Sequence, residues 1–248
     1  MTVKAKRERL DVLLVERGLF ATRSKAQAAV MAGLVLVDGE PASKAGDMTA
    51  EDAELSLKTD PCPYVSRGGL KLKAALDAFG LDVEGLVCLD VGSSTGGFTD
   101  CLLQHGAAKV YAIDVGTAQL AEKLKKDARV VSREQTHAKD LDPRWFEPKP
   151  TLAVMDVSFI SSALVLKPVI SCLDRQFKYV VLVKPQFEVG PKLAPKGVVR
   201  DPAVRLQAVD KVREAAKALG LVEKGLLESP VVGPKGNHEF LLLLESPA

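Results

Sequence analysis

Four charged residues lie far apart in the chain and are of the types that an enzyme uses to take a proton from an unreactive hydroxyl group. They are Lys71, Asp156, Lys184 and Glu239. A lysine accepts such a proton only when burial or a like charge lowers its pKa from about 10.4 toward neutrality. Lys184 ends a wholly apolar run, which predicts burial, and the two acids would hold the lysines in register. A second role for Lys184 is electrostatic steering, with the proton lost to water.

Each of the four also has a purely structural interpretation. Lys71 fits an exposed lysine on a helix, and Asp156 fits a cap for the helical segment 158–173. Glu239 fits a charge on an edge strand. Lys184 is the hardest to explain in this way, because a proline follows it directly after an apolar strand, which is an unusual place for a merely solvated lysine.

A glycine-rich segment, DVGSSTGGFT, spans residues 90–99 between a strand-like and a helix-like run. Its glycines permit a tight turn and a close approach of the backbone to a ligand. The spacing lacks the lysine of a P-loop and differs from the G-x-G-x-x-G of dinucleotide sites. Because Asp114 ends the next strand and can accept hydrogen bonds from ribose hydroxyls, the pattern favours an adenosine-bearing ligand without a pyrophosphate, S-adenosylmethionine. The predicted cofactor contacts are Asp90, Gly92, Ser93, Gly96, Gly97, Phe98, Asp114, Val115 and Asp156.

Two alternatives remain open for this segment. A glycine-rich turn can simply close a strand-helix unit, and Phe98 can belong to the core. The loop 134–137, after the following strand, is a further candidate for the adenine, although His137 fits a surface position equally well.

The elements that must position these residues form an α/β pattern. Short apolar runs at 86–90, 109–114, 152–156 and 179–184 each end in a charged residue. Such runs are typical of parallel strands covered on both faces, whose carboxyl ends meet at the ligand-binding edge of the sheet. A helical face over 70–79 closes at Gly80. The segments 226–230 and 239–244 flank a glycine-containing turn and predict an antiparallel hairpin at the sheet edge.

The first sixty residues predict a separate small α+β domain. Two short amphipathic helices end near Gly18 and Gly33, and strand-like runs follow at 34–37 and 53–57. Two prolines near residue 62 predict a linker. The predicted organisation is therefore a small first domain over 1–59, a linker over 60–66 and a second, larger domain over 67–248.

Charge is concentrated at the beginning of the chain. Residues 1–25 carry seven basic and three acidic groups, a net charge of +4 against +2 for the whole chain. The seven basic groups are Lys4, Lys6, Arg7, Arg9, Arg17, Arg23 and Lys25. This asymmetry predicts an anionic partner, and its alternative is a solvated basic segment with no partner.

The first domain resembles the RNA-binding module of ribosomal protein S-four in the segments 9–18, 22–27 and 32–39. The resemblance implies that Arg9, Arg23 and Lys25 face RNA. Such contacts are made mainly to phosphates, so they would position the protein, weaken with salt and contribute little sequence specificity. A purely structural role of the module is the alternative.

The rest of the chain resembles the TlyA-type rRNA methyltransferases, long called haemolysins and related in their catalytic domain to the FtsJ/RrmJ 2′-O-methyltransferases. The matching segments are 64–71, 90–99, 155–160, 183–188, 197–201 and 236–240. The resemblance implies a Rossmann-like class I methyltransferase sheet and a Lys-Asp-Lys-Glu tetrad made of the four residues above. It also implies ribosomal subunits as partners and 2′-O-methylation of cytidine in 23S rRNA. Relatives differ in whether 16S rRNA is also a substrate, which leaves that alternative open. His137 departs from the asparagine of many relatives.

A basic loop between residues 190 and 200 carries three more candidate RNA contacts. They are Lys192, Lys196 and Arg200. The loop follows the strand of Lys184, so it is placed to close over RNA. A mobile surface loop is the equal alternative.

Composition limits the other classes of function. The four cysteines are scattered without metal-type pairing, which predicts core thiols in a reducing cytoplasm and no metal site. Apolar stretches such as 240–244 are too short to span a bilayer, so we expect a cytoplasmic protein, and a membrane-active haemolysin has little support. The remaining alternative is a ribosome-assembly factor with a vestigial cofactor pocket.

Overall fold

The chain is described here by a computed structural model that covers residues 6–58 and 62–247. Contacts divide the chain into two compact units, Met1–Pro63 and Tyr64–Ala248. Each unit is described by itself. Lys4 of the predicted basic cluster, and Asp60 and Pro61 of the predicted linker, lie outside the described residues.

The first unit packs two helices beside short strands. Its elements are β1 (Arg7–Arg9), α1 (Leu10–Glu16), α2 (Arg23–Met31), β2 (Val35–Val37), β3 (Glu40–Pro41), β4 (Met48–Ala50) and β5 (Leu55–Leu57). Strand β1 pairs with β4, and β2 lies between β3 and β5, all antiparallel. Leu10, Leu14, Val30 and Val35 fill its core. Thr22 caps α2 by accepting a hydrogen bond from the Lys25 backbone N–H at 3.3 Å.

The second unit is built on one seven-stranded sheet. Its helices are α3 (Gly68–Phe79), α4 (Gly97–Gln104), α5 (Glu122–Lys125), α6 (Leu166–Ser171), α7 (Pro185–Glu188) and α8 (Pro202–Ala218). Its strands are β6 (Val87–Val91), β7 (Lys109–Ile113), β8 (Val130–Arg133), β9 (Leu152–Met155), β10 (Lys178–Val183), β11 (Val222–Glu228) and β12 (Phe240–Glu245).

The sheet order is β11-β12-β10-β9-β6-β7-β8. Strands β6 to β10 run parallel to one another, whereas β12 runs antiparallel to β10 and β11 antiparallel to β12. The prediction of a parallel α/β sheet with an antiparallel C-terminal hairpin at its edge is confirmed. Because helices cover both faces, β9 and β10 are buried almost throughout, as their apolar sequences require.

The strand ends determine where the charged side chains lie. Asp114, Asp156 and Lys184 each follow the last residue of a parallel strand, β7, β9 and β10 respectively. They therefore meet at the carboxyl edge of the sheet. Asp90 differs from the prediction, because β6 extends one residue further, to Val91, and keeps Asp90 inside the strand with no exposed surface.

Candidate active site at the carboxyl edge of the sheet

Lys184 is held by two groups on the loop that follows β9. Its Nζ atom lies 2.5 Å from Oδ1 of Asp156 and donates a hydrogen bond to Oγ of Ser158 at 2.8 Å. The residue is 8% exposed, so the strand end positions an ammonium group that is almost fully withdrawn from solvent. Buried charges in proteins are retained when they are paired and hydrogen-bonded, as here.

Lys71 and Glu239 form a second pair. Lys71 lies on α3, and its Nζ atom is 2.5 Å from Oε2 of Glu239, the residue before β12. Glu239 has no exposed surface and Lys71 is 8% exposed. The second carboxylate oxygen, Oε1, has no hydrogen-bond partner among the described residues. Gly233 approaches so closely that a Cβ there would lie 2.1 Å from this oxygen.

The two pairs line shared cavities. Lys71, Asp156 and Lys184 line a cavity of about 490 Å³ together with the glycine-rich turn. Lys184 and Glu239 also line an adjoining cavity of about 360 Å³. The structure therefore brings together all four residues of the predicted tetrad, and it assigns each lysine to one acid.

A smaller cavity, of about 260 Å³, continues from the glycine-rich turn between the loops that follow β7 and β9. It is lined by Gly92, Asp114, Val115 and His137, among others. The Asp114 carboxylate is fixed in place, because it accepts hydrogen bonds from the backbone N–H groups of Ser94 at 2.8 Å and Gly116 at 2.7 Å. A partly exposed carboxylate beside apolar walls is suited to a nucleoside with its ribose and base. His137 also lines this cavity, so the loop 134–137 stays a candidate for contact with the adenine.

Several predicted cofactor residues line the larger cavity, namely Gly92, Ser93, Gly97, Phe98 and Asp156. Gly92 has φ +84°, and a Cβ there would lie 2.4 Å from the Asp156 carbonyl oxygen. Glycine is required because the turn after β6 touches the loop after β9. Gly97 lets α4 approach the start of α3, since a Cβ there would lie 2.3 Å from Oγ of Ser66.

Two predicted cofactor contacts, Asp90 and Gly96, lie outside the residues that line these cavities. Asp90 is fully buried beneath the turn, and Oγ1 of Thr99 donates a hydrogen bond to its Oδ2 atom at 2.6 Å. Burial raises the pKa of Asp90 to about 7, to which the negative charges of Asp156 and Asp114 contribute. Gly96 faces α5, since a Cβ there would lie 2.2 Å from Cδ1 of Leu124. Both residues shape the turn and neither lines the cavities.

Three site residues escape prediction from the sequence. Ser158 lines all three cavities, and Arg67 lines the largest of them. Phe159 is 92% exposed at the two smaller cavities, with φ +63° and its ring centroid 5.1 Å from that of Phe187. A signal for Ser158 and Phe159 exists in the sequence, because they directly follow a strand that ends in Asp156.

Two of the predicted RNA contacts of the first unit, Arg9 and Arg23, are held by one buried carboxylate. Arg9, Arg23 and Lys25 are exposed. Asp11, which has no exposed surface, binds Arg9 through Nε and Nη2 at 3.0 Å and Arg23 through Nη2 at 3.0 Å. Its third partner is Gln27, at 2.6 Å. These hydrogen bonds hold the pKa of Asp11 well below its usual range, so one buried carboxylate orients two arginines at the surface.

The predicted contacts of the basic loop, Lys192, Lys196 and Arg200, are also exposed. The loop is attached to the unit at its second half. Arg205 donates hydrogen bonds to the carbonyl oxygens of Val199 at 3.0 Å and Arg200 at 3.2 Å.

Within the described ranges 6–58 and 62–247, no helix is long and apolar enough to cross a membrane. The same residues contain no cluster of histidine, cysteine and acidic side chains that could hold a metal ion.

Comparison with known proteins agrees with this geometry. The chain is 47% identical over 245 residues to YqxC of Bacillus subtilis, named as a candidate rRNA methyltransferase, with 98% of this chain and 87% of that protein covered. It is 46% identical over 244 residues to the 16S/23S rRNA (cytidine-2′-O)-methyltransferase TlyA of Mycobacterium tuberculosis, with 98% and 91% covered. A solved structure from Streptococcus thermophilus, described as a candidate haemolysin, superimposes with a TM-score of 0.77 at 45% identity, covering 98% of this chain and 90% of that one.

Two family descriptions match separate parts of the chain. The S4 domain matches residues 8–54, and the FtsJ-like methyltransferase matches residues 64–246. The predicted resemblance to both families is confirmed. With most of its length matched in this way, the chain belongs to the FtsJ-like methyltransferase family and carries an S4 domain before the catalytic part.

Proposed function

We propose that this chain is an S-adenosylmethionine-dependent RNA methyltransferase that methylates the ribose 2′-hydroxyl of cytidine in 23S rRNA, with 16S rRNA as a second substrate. The observation that carries the proposal is the position of Lys184. Its ammonium group is held by Asp156 and Ser158 where the cavities along the carboxyl edge of the sheet meet.

The residues around the smallest cavity fit the cofactor. The fixed carboxylate of Asp114 would hold the ribose, and Val115 would lie against the adenine. When bound, S-adenosylmethionine supplies a methyl group on a positively charged sulfur. The acidic side chains Asp114 and Asp156 at this edge favour such a positive charge.

The paired lysines act on the hydroxyl group that receives the methyl group. The Lys184 ammonium group can hold the ribose hydroxyl in line for reaction and stabilise the negative charge that develops on its oxygen as the proton is lost to water, because Asp156 and Ser158 fix the position of its Nζ atom. Lys71 lines the same cavity and is fixed by Glu239. Positioning groups of this kind contribute to the rate because they are already oriented before the reaction begins.

The substrate is inferred from the relatives and from the basic surfaces. The relative from Mycobacterium tuberculosis is named for cytidine 2′-O-methylation of 16S and 23S rRNA. In this chain the patch of Arg9, Arg23 and Lys25 would bind phosphates and position the enzyme. Because this basis is electrostatic, RNA binding should weaken steeply as the salt concentration rises.

The proposal is tested with labelled S-adenosylmethionine and isolated ribosomal subunits. We expect label at a ribose of cytidine in the RNA of the large subunit, and also in that of the small subunit, and its loss in Lys184→Ala while calorimetry still detects cofactor binding. Lys178→Ala is the matched control, because Lys178 is the first residue of the same strand and lies at its amino end, away from the carboxyl edge. Subunit binding without methyl transfer or cofactor affinity would contradict the proposal and favour an assembly factor.

A further inference from the structure

Two turns in the catalytic unit have the same sequence and the same unusual backbone. Residues 195–197 and 234–236 both read Pro-Lys-Gly and both form single turns of 3₁₀ helix. In each turn the lysine is left-handed, with φ +57° at Lys196 and +58° at Lys235, and the glycine that follows is left-handed too. A left-handed conformation is strained for lysine, and such strain persists only where the surroundings impose it.

Asn237 imposes this geometry by joining the two turns. It is 3% exposed, and its Nδ2 atom donates hydrogen bonds to the carbonyl oxygens of Gly197 at 2.8 Å and Pro234 at 3.1 Å. Its Oδ1 atom accepts one from the Val199 backbone N–H at 3.2 Å. We call the two turns joined by Asn237 the lysine clasp.

The clasp carries two lysines, Lys196 and Lys235, whose charges are not paired with carboxylates among the described residues. Nζ of Lys235 donates a hydrogen bond to the carbonyl oxygen of Lys196 at 3.3 Å, so one ammonium group lies at the turn that carries the other lysine. Both lysines are exposed. Among the described residues, neither forms a salt bridge with a carboxylate within 4.0 Å.

The clasp also adjoins the proposed reaction site. Lys235, Gly197 and Asn237 line the same cavity of about 360 Å³ as Lys184 and Glu239. Glu239 is bound to Lys71 and is two residues after Asn237. The clasp therefore lies beside the residues proposed to act on the ribose.

We propose that the lysine clasp binds a backbone phosphate of the RNA close to the ribose that is methylated, with Lys196 and Lys235 as its two cationic contacts. This inference rests on the proposed function for the identity of the partner as RNA. It extends the predicted contact at Lys196 to Lys235, and it makes Asn237 the residue that positions both. Phosphate contacts fix the register of a protein on RNA, which is what a ribose-specific enzyme needs.

The test measures binding separately from methyl transfer. The full chain is titrated against a fluorescein-labelled single-stranded RNA by fluorescence anisotropy over a series of salt concentrations. The logarithm of the binding constant falls linearly with the logarithm of the salt concentration, by about 0.7 per phosphate contact on a single strand. Because the clasp contacts one phosphate, we expect the slope of Lys196→Ala/Lys235→Ala to be shallower by about 0.7.

Three further variants make the result decisive. Lys149→Ala/Lys217→Ala removes the same charge from exposed lysines near the opposite edge of the sheet, and we expect its slope to equal that of the unchanged protein. Lys196→Arg/Lys235→Arg should keep the original slope. Asn237→Ala removes no charge and should nevertheless flatten the slope, provided that cofactor affinity confirms its fold.

An unchanged slope in Lys196→Ala/Lys235→Ala, or an equal change in Lys149→Ala/Lys217→Ala, would overturn the proposal. Because these measurements need no methyl transfer, they separate failure of the clasp from failure of the enzymatic function. Absence of methyl transfer with a flattened slope in the clasp variant would overturn the function and leave the clasp as a phosphate site.

Discussion

Nζ of Lys71 lies 2.5 Å from Oε2 of Glu239, although 168 residues separate the two in the chain. The pair connects α3 with the residue before β12, and both side chains are withdrawn from water. Each charge is therefore tolerated only because of the other, since an unpaired charge is costly to bury.

The first prediction is that the two residues depend on each other for stability. Breaking a buried pair from one side costs about 3–5 kcal/mol, because an uncompensated charge stays behind. Lys71→Met and Glu239→Gln should each lower the free energy of unfolding strongly, and the double variant should lose clearly less than the two losses added together. Urea denaturation of all four proteins completes the cycle.

A matched control for this cycle is present on the same helix. Lys73 and Asp77 form an exposed pair one turn apart, at 2.5 Å. An exposed pair of this kind contributes about 0.3–0.5 kcal/mol. Lys73→Met/Asp77→Asn should therefore show almost no coupling. Additive losses for the buried pair would contradict the prediction.

The sheet and the position of the candidate site at its carboxyl edge could be predicted, because short apolar runs that end in a charged residue are visible in the local sequence. Three of the four charged strand ends, Asp114, Asp156 and Lys184, lie where the runs predict. Asp90 could not be placed in this way. Whether a strand continues for one more residue depends on pairing with its neighbours, and Val91 pairs with both Ile113 and Met155.

The pairing of the charged residues lay beyond the sequence. Nothing local indicates that Lys71 binds Glu239 while Lys184 binds Asp156, since these contacts depend on how distant elements pack. The same holds for the lysine clasp, whose two turns are joined across about forty residues by one buried side chain. Sequence patterns identify such residues as candidates, and only the fold assigns their partners.

The second prediction concerns the buried carboxyl group of Asp90. Its pKa of about 7 in the folded protein lies above its ordinary value of 3.8, so the folded state binds the proton more tightly than the unfolded state. Stability must then fall as the pH rises from about 4 to about 7 and change no further above that range. Asp90→Asn, which keeps an acceptor for Thr99, should remove this contribution.

Guanidinium denaturation at pH 5 and pH 8 measures this effect. The difference in the free energy of unfolding between Asp90→Asn and the unchanged protein should favour the variant more at pH 8 than at pH 5. Thr99→Val is the companion variant, because it removes the hydrogen bond that lowers the pKa of Asp90. An equal difference at both pH values would contradict the pKa given to this carboxyl group.

The third prediction makes Ser158 a positioning residue for Lys184. Its hydroxyl oxygen accepts a hydrogen bond from the Lys184 Nζ atom at 2.8 Å and so helps to fix the position of that atom. Ser158→Ala should lower kcat about tenfold, the equivalent of roughly 1.4 kcal/mol, with cofactor affinity unchanged. Ser158→Thr retains the hydroxyl and should recover most of the rate. Single-turnover methyl transfer across a pH series gives the measurement, and equal rates in Ser158→Ala and the unchanged protein would rule the role out.

The fourth prediction concerns the exposed ring of Phe159. The residue has a left-handed backbone conformation and is 92% exposed, because its ring contact with Phe187 covers little of its surface. An aromatic face at the mouth of the cavities can stack on a base of the substrate, and such stacking contributes about 1–3 kcal/mol per base. Phe159→Ala should therefore weaken RNA binding by about tenfold or more, while Phe159→Tyr retains it.

Stability separates this role from a structural one. The Phe159 side chain contributes little buried surface, so the free energy of unfolding of Phe159→Ala should stay close to that of the unchanged protein. Leu164→Ala is the control, because Leu164 is 61% exposed on the neighbouring single turn of 3₁₀ helix and is not aromatic. Anisotropy titrations with single-stranded RNA should show a loss for Phe159→Ala alone. If Leu164→Ala weakens binding equally, the effect belongs to apolar surface in general, and the stacking role is wrong.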